Sequence, residues 1–318
     1  MIMVMDTPNI TILNNFELSS IPNLDVVVLA ALELFQTNTI PKMNLKYSRP
    51  LVVGSGNAEA TGRIMYETHD AIFASESDFE DKLKNIPTID GVILLSASGS
   101  KDAPIIAHKA KEYGKHVTLI TNTAQSPASR ELDQNHIDEE YVFPKNREPY
   151  TYNTSTYMGM ILGFSGEDPA SIEAFIKQKI DSIAWPDFSN FNKYYIIVPP
   201  QFSGIIRMIN VKFIELFGRN IARDVETSEY VRHATTVAES DELFISFGEP
   251  NITWGKPENR LFVPLPEKAG YAAMMAIGYY TVAQIQKAYP NYFKDNIAKY
   301  TEEVSKIFNQ NIQPIVEN

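Results

Sequence analysis

The chain reads as an α/β protein built on parallel sheets with helices on both faces. Three observations predict this. Short apolar runs of strand length alternate with longer helix-period segments along the 318 residues, the pattern of strands buried on both faces and joined by helical crossovers. The order of elements in the first half recurs in the second. Two local echoes, about 150 residues apart, match residues 74–79 (ASESDF) to 226–231 (ETSEYV) and 91–99 (GVILLSASG) to 241–248 (DELFISFG), as duplication of one unit would produce.

In order, the periodicity predicts a helix over 24–35, then strands over 50–53, 71–74, 91–96, 116–121 and 141–143. Helices fall between them at 58–67, 78–84, 103–113 and 126–132. A helix over 171–183 stops at Trp185-Pro186, because proline cannot continue a helix and restricts the residue before it. A polar, Asn-rich stretch follows, so 166–189 reads as a linker between an N-terminal domain (1–165) and a C-terminal one (190–318). The second half gives strands over 194–198, 222–226, 243–247 and 260–264, with a helix over 204–217. Long helices over 270–288 and 291–309 end the chain, and the apolar one around 271–285 is a candidate subunit interface.

Composition narrows the function. The net charge is −11, from 39 acidic and 28 basic residues without a basic cluster, which argues against a nucleic-acid partner. An acidic protein that binds an anion must gather positive potential locally, from backbone N–H groups and helix N-termini. The chain has no cysteine, which excludes disulfides, thiolate catalysis and Cys-ligated metal. Five scattered histidines offer no H-E-x-x-H pair, and no metal or cofactor is expected. No apolar stretch reaches the length of about 18 residues that a membrane span needs. Residues 1–15 lack a basic segment and a small-residue cleavage site, so a cytoplasmic location is expected.

The segment 91–114 carries the most chemistry. A buried strand runs into Ser96-Ala97-Ser98-Gly99-Ser100, and a helix begins within a few residues. Serine hydroxyls, a glycine that permits close backbone approach and the N–H groups of a helix start together make a phosphate cradle. The same residues also suit an ordinary βα turn with serine caps. The whole stretch 94–133, LLSASGSKDAPIIAHKAKEYGKHVTLITNTAQSPASRELD, resembles the core of the SIS (sugar isomerase) domain. That pattern is strand, S-x-S-G-x-[ST], helix with A-x-x-x-A-K-x-x-G, strand and I-T-x-x-x-x-S. Ala107, Ala110, Lys111, Gly114, Ile120, Thr121 and Ser126 fall where it requires them. Upstream, VVGSGN (52–57) is similar to the glycine-rich turn after the first SIS strand, with Gly54, Ser55 and Gly56 facing the sugar phosphate. One position departs: Lys101, followed by Asp102, stands where the family has Thr or Ser. Lys101 could hold phosphate by charge, or the site could be altered. Residues 148–158 (EPYTYNTSTYM) resemble the family's E...ST..Y segment over the sugar, which assigns Thr154 and Ser155 to ligand binding; as a bare sequence it is a Thr/Tyr-rich helix start.

The resemblance implies two flavodoxin-like, three-layer αβα SIS domains in one chain, as in the isomerase half of glucosamine-6-phosphate synthase and the archaeal-type phosphoglucose/phosphomannose isomerase. It implies a homodimer and an aldose-ketose isomerase, an intramolecular oxidoreductase acting on a hexose 6-phosphate. A Glu on the first helix of the second domain moves the proton, and a His from the partner opens the ring. The helix over 204–217 carries VKFIE, similar to the synthase's K-L-K-E and giving Glu215; residues 229–233 (EYVRH) are similar to its E-L-K-H and give His233. The chemistry of both side chains suits these roles, since a carboxylate raised by burial can shuttle a proton and an imidazole titrates near neutrality. Equally, Glu215 could be a helix residue paired with Lys212 or Arg219, and His233 could pack or cap. Arg147 lies near a position where an Arg could stabilise an enediolate, and an exposed salt bridge would also account for it. Residues 199–204 (PPQFSG) lack the glycine-rich form, so phosphate is expected only in the first domain. The segment 309–318 has no match to the synthase's C-terminal lysine, which disfavours amino transfer. A non-catalytic sugar-phosphate sensor and an amino-sugar-phosphate deaminase or deglycase remain the alternatives.

Overall fold

A computed structural model describes residues 7–44, 46–132 and 138–317. The chain forms two compact units, each drawing on more than one stretch of sequence. One comprises Asn38–Lys145 with Thr156–Gly166; the other comprises residues up to Thr37, Asn146–Ser155 and the chain from Glu167.

The first unit holds a five-stranded sheet in the order β2-β1-β3-β4-β5. Its strands are β1 (Pro50–Val53), β2 (Ile72–Ala74), β3 (Gly91–Leu95), β4 (Val117–Thr121) and β5 (Glu139–Val142), all parallel. This is the flavodoxin order. The central strands are buried throughout, as a sheet covered on both faces requires. Alternation along β1 divides the faces. Leu51 and Val53 pack with α4 (Phe79–Asn85) and α5 (Ala103–Glu112) through Phe79, Leu83, Ile106 and Ala110. Val52 points the other way, against α3 (Asn57–Tyr66), where a Cβ on Gly62 would lie 2.7 Å from Val52 Cγ1.

The second unit carries a four-stranded parallel sheet. In it β7 (Lys193–Val198) lies between β8 (Ala222–Thr227) and β9 (Leu243–Phe247), with β10 (Arg260–Val263) beyond β9. Read from β8, the order repeats that of the first sheet without a fifth strand. The echoing segments 91–99 and 241–248 each contain the strand next to the first one of their sheet, β3 and β9.

Around this second sheet lie α8 (Ile206–Phe217) and α10 (Tyr271–Ala288), and α2 (Leu24–Thr37) packs on α10, on α1 (Pro8–Asn15) and on α7 (Pro169–Phe175). Helix α10 is apolar on every side, and Ala272 to Ala283 are buried within their own unit. The sequence suggested this face as a subunit interface; it is covered by the chain's own helices, as an all-round apolar helix must be.

Other differences have local causes. The helix expected over 126–132 is one 3-10 turn, Ser129–Glu131. Ser126 Oγ accepts the Ser129 N–H (3.1 Å), a side-chain bond that competes with helix formation. The helix expected over 171–183 starts at Pro169, because Asp168 accepts from the N–H groups of Ala170 and Ser171, and it passes into a π turn over Ile176–Ile180. The helix expected from 204 starts at Ile206, after a 3-10 stretch Pro200–Ile205. Periodicity gave no sign of the two-residue pairing between β6 (Glu148–Pro149) and β11 (Ile315–Val316).

Helix α10 has no capping side chain of its own; Glu167 instead accepts from the N–H groups of Gly270, Ala272 and Ala273 at 2.8, 2.8 and 3.1 Å. Glu167→Ala leaves those donors unmatched at the positive end of the helix dipole, and should lower stability by about 1–2 kcal/mol in urea unfolding.

Candidate active site

In the first unit, β1 and β3 are neighbours whose crossovers leave to opposite sides, so the ends of these strands flank the sheet's switch point, the ordinary place for a ligand in such sheets. Both sequence-identified turns lie there. Gly54 ends β1, with its N–H on Ala74 O (3.3 Å), and a Cβ on it would come within 2.7 Å of the backbone of α3. Gly56, at φ +58°, turns the chain into that helix.

The turn after β3 is open: Ser98 and Lys101 are exposed, and Ser96 and Ser100 are half-buried. Gly99, at φ +58°, donates its N–H to Ser96 O and Oγ (3.2 Å each), and its carbonyl accepts from Ala128 N (2.8 Å). Ser96 Oγ accepts that bond, so its O–H is left to donate. Ser98 and Ser100 share one hydrogen bond between hydroxyls (2.7 Å), which leaves the pair one O–H. The N–H groups of Ser98 and Ser100 meet no acceptor among the described residues. Lys101 adopts φ +56°, a left-handed conformation uncommon outside glycine. The α5 start adds less than an ordinary helix N-terminus: the Ala103 N–H bonds Ser100 O (3.2 Å), and Pro104 has no N–H. The donors the turn itself offers are therefore hydroxyls and turn amides.

Ser55 differs from the other serines, since its hydroxyl donates to the Glu76 carboxylate. A carboxylate at the β1 turn repels a phosphate there, so the anion-ready part of the switch point is 96–101.

In the second unit, Glu215 lies on α8 one turn after Lys212. The Lys212 side chain is fully buried, and its ammonium donates to Glu215 Oε2 (2.7 Å), Tyr152 O (2.8 Å) and Thr151 O (3.0 Å). The rings of Tyr152 and Tyr279 lie 5.6 and 5.2 Å from Lys212 Nζ. Burial pushes the Glu215 carboxyl above its usual range, and Lys212 offsets part of that rise. Glu148 is buried as well and accepts from the N–H groups of Thr154 (2.6 Å) and Ser155 (2.8 Å), at the start of α6 (Thr154–Ser165). Burial raises its pKa; the hydrogen bonds and the Lys212 charge counter this.

The remaining residues are placed as follows. Thr154 and Ser155, assigned to the ligand from sequence, are fully buried: Thr154 Oγ1 donates to Tyr152 O (3.4 Å), and Ser155 Oγ accepts from Asn146 N (2.9 Å). Their hydroxyls hold this segment together. Arg147 donates to Leu13 O, Phe16 O and the Glu317 carboxylate, with its guanidinium 4.4 Å from the Phe16 ring; every one of these contacts is structural. His233 is exposed on α9 (Val231–Ala234), where Arg232 Nε donates to its Nε2 (3.2 Å). Sequence reasoning quoted Lys212 within VKFIE and as an ion-pair partner, and Glu148 as the first residue of the E...ST..Y segment, but gave neither a role of its own and gave none to Glu76. The three-residue spacing of Lys212 and Glu215 on one helix face was the available signal for the first.

No family model matches this sequence, and no curated protein matches it. The fold is nevertheless shared with solved structures of sugar-phosphate enzymes. The C-terminal domain of glucosamine-fructose-6-phosphate aminotransferase from Francisella tularensis is similar at TM-score 0.54 and 12% identity, over 86% of this chain and 93% of that one. Tagatose-6-phosphate ketose/aldose isomerase from Escherichia coli is similar at TM-score 0.53 and 12% identity, over 87% and 90%. At these identities the likeness establishes a common fold. Among the described residues, no helix is long and apolar enough to cross a membrane.

A methyl group at position 99 tests the turn. It would sit 2.1 Å from Ser126 Oγ on a left-handed backbone, so Gly99→Ala should lower stability by about 1–3 kcal/mol in urea unfolding.

Proposed function

We propose that this protein is a phosphosugar isomerase that interconverts an aldose and a ketose hexose 6-phosphate. Phosphate is held by Ser96, Ser98, Ser100 and Lys101, with the Gly54 to Gly56 turn against the sugar. Glu215 takes the proton from C2 of the open-chain aldose and returns it to C1 through an enediol(ate). The O2 hydroxyl proton passes to O1, so the carbonyl moves from C1 to C2 without an external oxidant. Lys212 fixes Glu215 Oε2 and leaves Oε1 for the transfer.

The observation that carries this reading is the Lys212–Glu215 pair. A carboxylate raised by burial, with one oxygen held by a buried ammonium, supports a proton shuttle, because the raised pKa favours reprotonation and the ion pair fixes the orientation. The shared fold with the two sugar-phosphate enzymes supports the substrate class.

Glucose, mannose and fructose 6-phosphates, each incubated with the protein and followed by NMR, should include a pair that interconverts. Glu215→Gln should cut kcat at least about a hundredfold and leave ligand affinity nearly unchanged. Turnover of none of the three sugars would overturn the proposal.

The pH profile gives a second test. Glu215 acts as a base only when ionised, and its folded-state pKa lies above the ordinary glutamate value, so kcat falls as pH drops through that raised value. Lys212 pulls the pKa down; Lys212→Met should therefore move the acid limb further up. A limb that stays in place in the variant would remove Glu215 from the proton transfer.

The reading extends to a homodimer in which His233 opens the sugar ring bound by the neighbouring copy. Glu215→Gln and His233→Ala homodimers should each be inactive, and mixing them through dissociation should restore turnover. Failure of exchanged mixtures to recover activity would place His233 in its own chain's site or outside catalysis.

A further inference from the structure

Two buried carboxylates surround the Lys212 ammonium. Glu215 meets it directly, through Oε2 at 2.7 Å. Glu148, 3% exposed, grips the same turn by its other groups: Lys212 takes the carbonyls of Thr151 and Tyr152, while Glu148 Oε2 and Oε1 accept the N–H groups of Thr154 (2.6 Å) and Ser155 (2.8 Å). The Lys212 charge reaches Glu148 and favours its ionised form. The other ionisable groups around the cluster are phenols or are already paired. Tyr152 and Tyr279 lie over Lys212, Tyr150 lies toward Glu215 with Tyr300 beside it, and all four are uncharged near neutrality. Asp25 pairs with Lys287 (2.5 Å), and Glu317 pairs with Arg147 (3.1 Å).

The two carboxylates are not equivalent. Both oxygens of Glu148 accept backbone N–H groups, bonds that favour the ionised form. Glu215 Oε1 has no partner among the described residues, so a proton there displaces no bond. A proton shuttle holds a proton in mid-reaction, and at that moment Glu215 no longer counters the ammonium beside it. With no other negative charge within reach, a fully buried Lys212 would oppose that step. We infer that Glu148 is a positioning residue that supplies Lys212 with a standing negative charge, so that Glu215 can gain and lose a proton without stripping the buried ammonium of all counter-charge. This rests on the reading of Glu215 as the proton shuttle and deepens it.

The pH dependence of turnover in Glu148→Gln and Glu148→Asp tests this. Loss of the Glu148 charge leaves Lys212 acting on Glu215 alone, which favours the ionised carboxylate. In Glu148→Gln the acid limb of kcat should therefore move to lower pH, opposite to its movement in Lys212→Met. The weaker base should also lower the plateau kcat about tenfold, with KM nearly unchanged. Glu148→Asp keeps the charge and should keep the limb near its wild-type position. A limb that stays in place in Glu148→Gln, or that moves equally in both variants as a loosened loop would make it, overturns the role of Glu148. Wild-type protein labelled with 13C at the glutamate carboxyls decides the matter even where a Glu148 variant fails to fold. On acidification, the first carboxyl to gain a proton should be the one whose signal is missing from Glu215→Gln; a first proton on any other carboxyl overturns the inference. A wild type that turns over no hexose 6-phosphate overturns the shuttle itself, whereas the carboxyl titration reads the standing charge on Glu148 without any turnover.

Discussion

The first sheet is governed by a constraint of strand order. Right-handed crossovers from β1 and from β3 diverge, which puts α3 and α5 on opposite faces and leaves a gap at the carboxyl edge that the sheet's own side chains do not fill. The chain lines that gap with turn residues. Glycine stands at two points where a side chain would strike α3 or Ser126, and serine stands where a hydroxyl can face outward. An acidic protein thereby obtains a local concentration of donors without a basic patch.

The second unit is governed by a buried charge. Lys212 is fully enclosed, and its three donors meet three acceptors, so loss of the Glu215 carboxylate would leave the ammonium without its ion-pair partner, at a cost of about 3–5 kcal/mol. The same interaction holds a strained segment. Thr151 and Asn153 have φ of +76° and +45°, conformations that cost on the order of 1–3 kcal/mol each for such residues. They persist because Lys212 takes the carbonyls of residues 151 and 152, while Glu148 takes the N–H groups of 154 and 155. The orientation of Glu215 and the path of the 148–155 segment are therefore one structural problem with one solution.

Much of this was legible in advance, for a physical reason. Strands buried on both faces must be apolar along their length, so β1, β3, β4, β7 and β9 announce themselves, and the turn chemistry of 96–101 is local to six residues. What depended on distant partners was not legible. Thr154 and Ser155 read as ligand contacts because a hydroxyl at a helix start serves equally well inside or outside, and only the positions of Glu148 and Asn146 decide for the inside. Arg147 read as a surface or catalytic cation, but its acceptors come from residues 13, 16 and 317. Periodicity carries no information about such pairings, nor about the bond that Glu76 accepts from a serine 21 residues earlier.

The two sheets share an order of strands but have diverged at their turns. Where the first has Ser96 to Lys101 open, the loop after β9 is closed on itself. Asn251 Oδ1 accepts from the N–H groups of residues 253 and 254, and the Arg260 guanidinium donates to the carbonyls of Ile252, Thr253, Trp254 and Gly255. Trp254 packs into the cluster of Tyr195, Ile197, Val231 and Phe244. After β7, the glycine-rich turn has become a 3-10 stretch that buries Phe202. The Arg260 guanidinium is directed at loop carbonyls, and Asn251 takes two of the loop's amides. The two turns have thus diverged, the first into an open arrangement of hydroxyls and the second into a loop closed by its own side chains.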